Sequence, residues 1–487
     1  MQPVKTRISF GIALVPTLFA ACGIAALARS TTAEMPSPTP APMPMPMVTA
    51  QPRADASTLP ELGHPERWSV HVQTTNVQLY HGAFPAAYSG PQSLSSAPDT
   101  AKTFDFTVYL GGRLWKGSEF YVNQEIDQGF GIGSPGPNDT YNGSFGSAGY
   151  VNGEAFKLGQ HKPYGRLHRY FIRQTFNLGG EKQHLDADIN QLGEPIDADH
   201  LILTFGKFSA TDVFDGNAYA HDPKNDFLNW SLIDMGAWDY AADAWGFTRG
   251  CGAELTRSRS TVRAGIFQLS AVPNQSAIST SFLRQFSGVF EFEQRTSLFG
   301  GRPGSLKALV YGDNGFMAPL SDATAAAAGT GNPPDLAQFR TNKHWKFGGG
   351  INIQQEIAPH VGFFSRISGM NGTYEAFDYT EIDRSVSAGF SLDGALWKRP
   401  KDSIGIAGVV NALSVPGQRY FAAGGLGITI GDGNLSYAPE RIFETYYKLG
   451  VGKGVAISGD YQRLVNPGYN AARGPVSIYG LRLHAQM

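Results

Sequence analysis

The chain has 487 residues, with 39 basic and 41 acidic side chains and a formal net charge of −2. This balance gives no electrostatic reason to expect nucleic acid as a partner. Of its two cysteines, only Cys251 lies beyond the N-terminal apolar stretch, so an exported chain would form no internal disulfide. The 59 glycines and 31 phenylalanines, beside only 16% charged residues, favour many short strands joined by tight turns.

The N-terminus carries the three parts of an export signal in order. Two basic residues in the first seven positions precede an apolar run over about residues 10–27, and small residues stand at Ala26-Leu27-Ala28. This order predicts a signal peptide over residues 1–28. Two alternatives stay open: a membrane-spanning anchor, because the run is nearly long enough, and a lipid-attachment site at Cys22.

A proline-rich stretch follows the predicted signal. Prolines alternate with small residues and methionines over residues 35–53. Such a composition favours extended polyproline or disordered chain, which acts as a semi-rigid spacer. We therefore expect residues 29–65 to form a periplasmic spacer, and a ligand for a peptide-recognition domain is the alternative.

From about Glu66 onward, apolar and polar residues alternate. Over residues 104–110, two phenylalanines, a valine and a leucine face one way, while an aspartate, a threonine and a tyrosine face the other. Residues 479–487 repeat the pattern, with arginine, histidine and glutamine on the polar face. A packed core rejects charged side chains in mid-strand unless they are paired, whereas a water-filled lumen accepts them. The sequence therefore predicts an all-β fold, a transmembrane antiparallel β-barrel over residues 66–487.

The connections between these strands are of two kinds. Four are tight turns, namely Trp115–Ser118, Phe299–Gly304, Lys398–Asp402 and Gly452–Gly454. Four are long, at about residues 131–164, 209–244, 313–343 and 413–436. Short periplasmic turns that alternate with long extracellular loops are typical of outer-membrane barrels. At about 10 residues per strand plus loops, the length fits roughly 16 to 18 strands, and we expect about 16.

One stretch resembles a known family. Residues 203–215, Leu-Thr-Phe-Gly-Lys-Phe-Ser-Ala-Thr-Asp-Val-Phe-Asp, are similar to the carbohydrate-selective porins of the OprB type, in which a strand ending in Gly-Arg/Lys leads into a long loop with Asp and Phe. Residues 443–448, 460–467 and 480–483 resemble that family too, so the likeness runs from about residue 66 to the end.

The resemblance implies a sixteen-strand barrel, monomeric or trimeric, in the bacterial outer membrane. Such a barrel would admit monosaccharides and related small polyols or acids. Its other partners would be outer-membrane lipid and the barrel-assembly machinery. The final residue, Met487, departs from the usual terminal phenylalanine, which bears on recognition by that machinery.

The loop at 209–244 is the best candidate for a constriction, because it is long and mixes aspartates with aromatic residues. Aromatic faces stack on sugar rings, while carboxylates and amines bond the hydroxyls. Opposite charges across a pore set a transverse field, although ordinary solvation of the lumen is the alternative for each single residue. The predicted lumen and constriction residues are Arg169, Arg173, Lys207, Asp212, Phe214, Asp215, Trp230, Trp238, Arg366, Glu444, Lys448, Asp460 and Arg482.

The function predicted from these features is passive diffusion of small sugars, with no cofactor and no catalytic residues. His161, His168, His184, His200 and His221 lack the spacing of metal ligands, so no metal site is expected. The alternatives are an exporter of a secreted polysaccharide and a general ion-selective porin. A barrel enzyme such as a lipase is less favoured, because no serine and histidine align near the lipid-facing rim.

Overall fold

The computed structural model describes residues 66–133, 145–154, 159–273, 277–279, 281–378 and 380–487. The predicted signal peptide and spacer lie outside these residues.

Sixteen strands form one closed antiparallel barrel, in which each strand pairs with its neighbours in the chain and the first pairs with the last. The predicted fold is therefore confirmed. The strands are β1 (Trp68–His81), β2 (Asp99–Trp115), β3 (Ser118–Gly129), β4 (Gln160–Leu185), β5 (Glu194–Phe208), β6 (Thr248–Arg257), β7 (Ser260–Gln268), β8 (Phe286–Ser297), β9 (Arg302–Phe316), β10 (Lys343–Ala358), β11 (Val361–Met370), β12 (Arg384–Asp393), β13 (Ser403–Ala412), β14 (Glu440–Gly450), β15 (Val455–Val465) and β16 (Val476–Gln486).

The seam between β1 and β16 closes the sheet. Val77 lies opposite Arg482 in this pair. At the end of the chain, the amide of Val72 donates to the carbonyl of Met487, and the amide of Met487 donates back, each at 2.9 Å. Because the barrel closes, none of the sixteen strands in the described residues keeps an unpaired edge.

The two faces of the sheet differ as the alternation predicts. On β10, Trp345 and Ile351 are exposed on the outside, whereas Lys346 and Asn352 are buried inside. The outer face carries exposed aliphatic and aromatic side chains, such as Ile351 and Phe292 in mid-strand and Trp115 at the end of β2. An apolar outer band is what a lipid bilayer requires.

Short and long connections alternate around the barrel. The seven short ones contain two to nine residues and the eight long ones contain ten to 39. The long connections are residues 82–98, 130–159, 209–247, 269–285, 317–342, 371–383, 413–439 and 466–475. The four long loops predicted from sequence are confirmed with shifted bounds, and the other four are additional.

The helices are short and lie in the connections. They are α1 (Trp230–Ile233), α2 (Leu298–Gly301), α3 (Leu320–Ala327) and α4 (Val415–Ala422). Within the described ranges, no helix combines the length and the apolar character needed to cross a membrane.

Candidate functional site: the inner loop and the lumen

The connection between β5 and β6, residues 209–247, folds into the barrel; we call it the inner loop. It starts with a capped turn, because the hydroxyl of Ser209 accepts the amide of Thr211 and the carboxylate of Asp212 accepts the amide of Ser209. Further along, Asn229 caps α1 by accepting the amide of Ser231. These local bonds satisfy backbone groups that a loop inside a barrel cannot offer to bulk water.

A buried ion pair holds the middle of the inner loop to β11. The Arg366 guanidinium lies 3.1 Å from the Asp215 carboxylate, and it also donates to the carbonyls of Leu232 (2.8 Å) and Ala220 (2.9 Å). The other oxygen of Asp215 accepts the amide of Met235 at 2.6 Å. Arg366 and Asp215 are therefore fully used in holding the loop, and neither contributes a free lumen charge.

A second part of the wall, on β14 and β16, holds the same loop. The Glu444 carboxylate accepts the amides of Leu228 (2.5 Å) and Asn229 (3.0 Å). Arg482 donates to the carbonyl of Asp226 at 2.9 Å. Glu444 is completely buried and Arg482 is 1% exposed, so these predicted pore charges serve as loop contacts.

Two further ion pairs hold the last part of the inner loop, which leads into β6. Lys346 on β10 lies 2.7 Å from Asp239, and both side chains are completely buried. Lys207 on β5 lies 2.9 Å from Asp243. The predicted lumen residue Lys207 is thus paired with the loop that follows it.

The remaining charged candidates lie on the same wall as Glu444. Asp460 is 7% exposed and accepts a hydrogen bond from Gln462 at 3.3 Å. Lys448 is half-buried and interacts with the Asp226 carboxylate of the inner loop. Both residues face the lumen, close to the loop and not across an open channel from it.

Glycines on the lumen face of the wall leave room for the inner loop. A Cβ atom on Gly362 would meet the ring of Tyr219, and one on Gly405 would meet the ring of Phe227. These close approaches explain why a large loop fits inside a barrel of this size.

The aromatic candidates are buried between the loop and the wall. Phe214 and Trp238 are 0% exposed and Trp230 is 1% exposed. Phe214 makes an edge-to-face contact with Phe267 of β7, and Trp230 makes one with Tyr150. We expected these side chains to contact solutes, but here they form an internal apolar core. Alternation and composition cannot distinguish an aromatic that faces the pore from one that packs under a loop.

A partly exposed group of charges and rings lies where both ends of the inner loop meet β4. We call Arg166, Arg169, Asp212, Trp245 and Phe247 the eyelet cluster. Nε and Nη2 of Arg169 each donate to one oxygen of the Asp212 carboxylate, both at 2.7 Å. Arg166 lies over the ring of Trp245, 3.2 Å from its centroid, and Arg169 lies over the ring of Phe247 at 4.6 Å. The side chains of Arg166 and Asp212 are each 30% exposed.

The inward orientation of Arg166 was not predicted from the sequence because β4 contains a β-bulge. Asn123 of β3 pairs with Arg169 and Gln124 pairs with Leu167, which leaves His168 as an extra residue on β4. The extra residue reverses the alternation, so Leu167 faces outward and Arg166 faces inward. Two arginines three residues apart therefore share the lumen face.

Arg173 lies nearer the opposite end of β4. It donates to the carbonyl of Asn190 at 2.8 Å, and its guanidinium lies near the rings of Tyr121 and Phe171. The hydroxyl of Tyr121 accepts the amide of Leu192 at 3.0 Å. The short β4–β5 turn, residues 186–193, therefore folds back toward the lumen beneath Arg173.

Glu125, Asp127 and His168, on the lumen faces of β3 and β4, form a group of possible metal ligands beside the eyelet cluster. Their nearest oxygen and nitrogen atoms all lie within 4.8 Å of one another. Only a weak signal for this group is present in the sequence, since Glu125 and Asp127 are two residues apart on one strand face. His168 joins them only through strand pairing and the bulge.

Three other long connections, at the same end of the barrel as the inner loop, enclose a cavity lined by both polar and apolar residues. Residues of the loops 317–342, 371–383 and 413–439 line it, and we call them the extracellular roof. Arg340 bonds the Glu375 carboxylate at 2.6 Å, and the Tyr420 hydroxyl donates to the carbonyl of Leu426. Glu381 accepts the amide of Ile428, and its burial raises its pKa to about 7.

Several solved structures are similar to this chain. Pseudomonas putida OprB, in its high-pH structure, is similar with a TM-score of 0.64 and 16% identity, covering 86% of this chain and 94% of that one. The DcaP channel of Acinetobacter baumannii is similar at a TM-score of 0.46 and 9% identity, covering 86% and 97%. OccK2 of Pseudomonas aeruginosa, in complex with glucuronate, has a TM-score of 0.42 and 9% identity, covering 86% and 98%.

No curated protein matches the sequence. The model of the carbohydrate-selective porin, OprB family, matches residues 91–487, which is most of the chain and contains fifteen of the sixteen strands. With its closed sixteen-strand barrel and its inner loop, this chain belongs to the OprB family of carbohydrate-selective porins, outer-membrane channels through which sugars diffuse passively.

Proposed function

We propose that the eyelet cluster is the narrow point of this channel and that it selects small neutral or anionic sugars. The observation that carries the proposal is the solvent exposure of the charged side chains in this cluster. The side chains of Arg166, Arg169 and Asp212 are 19% to 30% exposed. By contrast, the charged residues that hold the inner loop are almost completely buried, namely Arg366, Asp215, Arg482 and Glu444.

The chemistry of the cluster suits a polyhydroxylated solute. Guanidinium groups donate hydrogen bonds to hydroxyl oxygens, and the Asp212 carboxylate accepts them from hydroxyl groups. Trp245 is partly exposed beside Arg166, and an aromatic ring offers its face to the C–H side of a sugar ring. Tyr164 holds the Trp245 ring in place, since its hydroxyl accepts the Trp245 indole N–H at 3.1 Å.

The arginine side chains of the eyelet cluster are already fixed in position by neighbouring carboxylates when no solute is bound. Asp212 fixes Arg169 through two bonds, and Asp243 lies 3.5 Å from Arg166. A preorganised site spends less entropy on ordering its side chains when it binds. Each hydrogen bond is worth only about 1 kcal/mol net in water, so a sugar binds weakly and leaves quickly, as passage requires.

The test is sugar block of ion current in planar bilayers. We expect the double variant Arg166→Gln plus Arg169→Gln to lose sugar block several-fold and to shift toward cation preference. The control is Arg249→Gln, an exposed arginine of β6 bonded to the outward-facing Tyr170, which should behave as the unmodified channel. If sugar block is unchanged in the double variant, the eyelet cluster is not the constriction, which would then have to be sought elsewhere, for example in loop 130–159.

Three finer assignments belong to the same proposal. We infer that residues 1–28 are a signal peptide, that residues 29–65 form a periplasmic spacer, and that the barrel-assembly machinery inserts the domain over 66–487. We also infer a channel without catalytic function. A single barrel is sufficient for the proposed passage, because the eyelet cluster and the inner loop come from one chain.

A further inference from the structure

We propose that Glu125, Asp127 and His168 form a binding site for one divalent transition-metal ion such as Zn²⁺ on the lumen wall. This inference goes beyond sugar passage and contradicts the expectation of no metal site. That expectation considered only the spacing between histidines, whereas this group joins two strands.

His168 makes a long hydrogen bond to Asp127, and its two distances to the carboxylates match the spacing of ligands around one metal ion. His168 Nε2 lies 3.4 Å from an oxygen of Glu125 and 3.4 Å from an oxygen of Asp127. Strong hydrogen bonds to a carboxylate are about 2.7–2.9 Å long. Two ligands on a tetrahedral ion at bond lengths of about 2.1 Å lie about 3.4 Å apart, which equals the observed separation.

Neighbouring side chains hold the His168 ring and the Glu125 carboxylate in place, while Nδ1 of His168 is buried without a hydrogen-bond partner. The His168 side chain is 2% exposed, and its ring packs on Phe247 with 4.4 Å between centroids. The second oxygen of Glu125 accepts the hydroxyl of Thr107. Such outer partners fix the orientation of metal-ligating carboxylates. The Glu125 and Asp127 side chains are 16% and 18% exposed, so an ion can reach them from the lumen.

The charges around the three residues are not balanced. Lys224 is paired with Asp105 (2.8 Å) and Glu154 (3.1 Å). Arg169 is paired with Asp212, and Arg166 and Lys207 share Asp243. Within the described part of the chain, Glu125 and Asp127 form no ion pair with a lysine or an arginine. The two negative charges of these carboxylates would balance one divalent ion.

The donor set indicates the kind of ion. An imidazole with two carboxylates suits Zn²⁺ and similar borderline ions, whereas Mg²⁺ and Ca²⁺ prefer oxygen ligands alone. Three protein ligands leave a fourth position open toward the lumen. A metal held there would alter the field beside Arg166 and Arg169 and would offer a coordination position to a passing solute.

The experiment measures Zn²⁺ binding by the full-length protein in detergent, followed by single-channel conductance with and without Zn²⁺. We expect one Zn²⁺ per barrel and a saturable change in conductance, with Mg²⁺ giving neither. His168→Ala and Asp127→Asn should weaken binding more than about 100-fold, and Thr107→Val about ten- to hundredfold, as for other outer partners.

The matched control is His161→Ala, since His161 lies on the same strand and contacts Phe130 without touching the triad. Its Zn²⁺ affinity should remain that of the unmodified protein. Heat-modifiable migration confirms that each variant is folded, and Glu125→Gln replaces any variant that is not. Absence of Zn²⁺ binding to the unmodified barrel, or equal binding by His168→Ala, would overturn the proposal. Binding is measured without sugar, so this result is independent of the sugar-block test.

Discussion

At the scale of single residues, the lumen contains two kinds of charge. Arg366, Lys346 and Glu444 are buried and bond the inner loop, while Arg166 and Arg169 remain partly exposed beside rings. The same residue types occur in both sets. Burial, and not residue type, therefore separates the side chains that hold the structure from those that can meet a solute.

The buried Arg366–Asp215 pair gives the first prediction. Arg366→Met should destabilise the barrel by about 3–5 kcal/mol, because it leaves the Asp215 carboxylate buried without its cationic partner. We expect a lower urea midpoint and a lower temperature for loss of heat-modifiable migration.

Two comparisons control that prediction. Arg384→Met, at an exposed position on β12, should change the midpoint little. The double variant Arg366→Met plus Asp215→Asn should cost less than the sum of the single changes, because the two residues interact directly. Strict additivity of the two changes would mean that the ion pair contributes no coupling.

At the scale of elements, the strands were predictable and the inner loop was only partly so. Alternation over 104–110 and 479–487 gives strand and face directly, because one side meets lipid and the other meets polar groups. The length and position of the loop at 209–244 were also evident. Its contacts were not, since they join residues more than a hundred positions apart, such as Asp215 and Arg366.

The eyelet cluster, too, could be predicted from the sequence only in part. Arg169 and Asp212 were identified from sequence, but Arg166 was not, because a single bulge at His168 changes which residues of β4 face inward. A bulge has no reliable sequence signal in a strand that is already rich in polar residues.

The extracellular roof should depend on pH through Glu381. Its ordinary pKa is near 4.5, and burial raises the value to about 7, with the Asp239 carboxylate adding to this and Lys346 opposing it. Because the folded state favours the protonated form, the stabilisation is complete below the ordinary pKa and is lost as the pH rises to about 7. One pKa unit corresponds to about 1.4 kcal/mol, so the loss amounts to a few kcal/mol.

Hydrogen exchange of residues 424–433 measures this effect. Protection should decrease between acidic and neutral pH and stay level above it. Glu381→Gln should remove most of the dependence, while buried Glu375 and Asp383, whose pKa values are also raised, account for what remains. Protection that increases with pH would contradict the assignment.

At the scale of the whole molecule, the barrel domain contains every element that the proposed passage needs. The sixteen strands, the inner loop and the roof all lie between Trp68 and Gln486. The proline-rich stretch at 35–53 precedes them, and its composition is the basis for the predicted spacer.

Deleting residues 35–53 should therefore leave the channel intact. We expect unchanged single-channel conductance, unchanged sugar block and the same difference in gel migration between boiled and unboiled samples. A deletion of equal length within β1 and the loop after it, such as 70–88, is the disruptive control. Loss of conductance in a correctly inserted variant that lacks only 35–53 would make the stretch part of the pore.

The seam between β1 and β16 also constrains the order of assembly. The inner loop lies between β5 and β6, yet some of its partners, Glu444 and Arg482, are on β14 and β16. The loop cannot complete its contacts until nearly the whole chain has arrived, and contacts so distant in sequence form slowly. Once Val72 and Met487 have joined, a loop still outside can enter only through the mouth of the barrel at which β5 ends and β6 begins. Buried partners such as Glu444 and Arg482 therefore meet the loop late, and an assembly intermediate with paired strands and an unfilled lumen is the expected consequence.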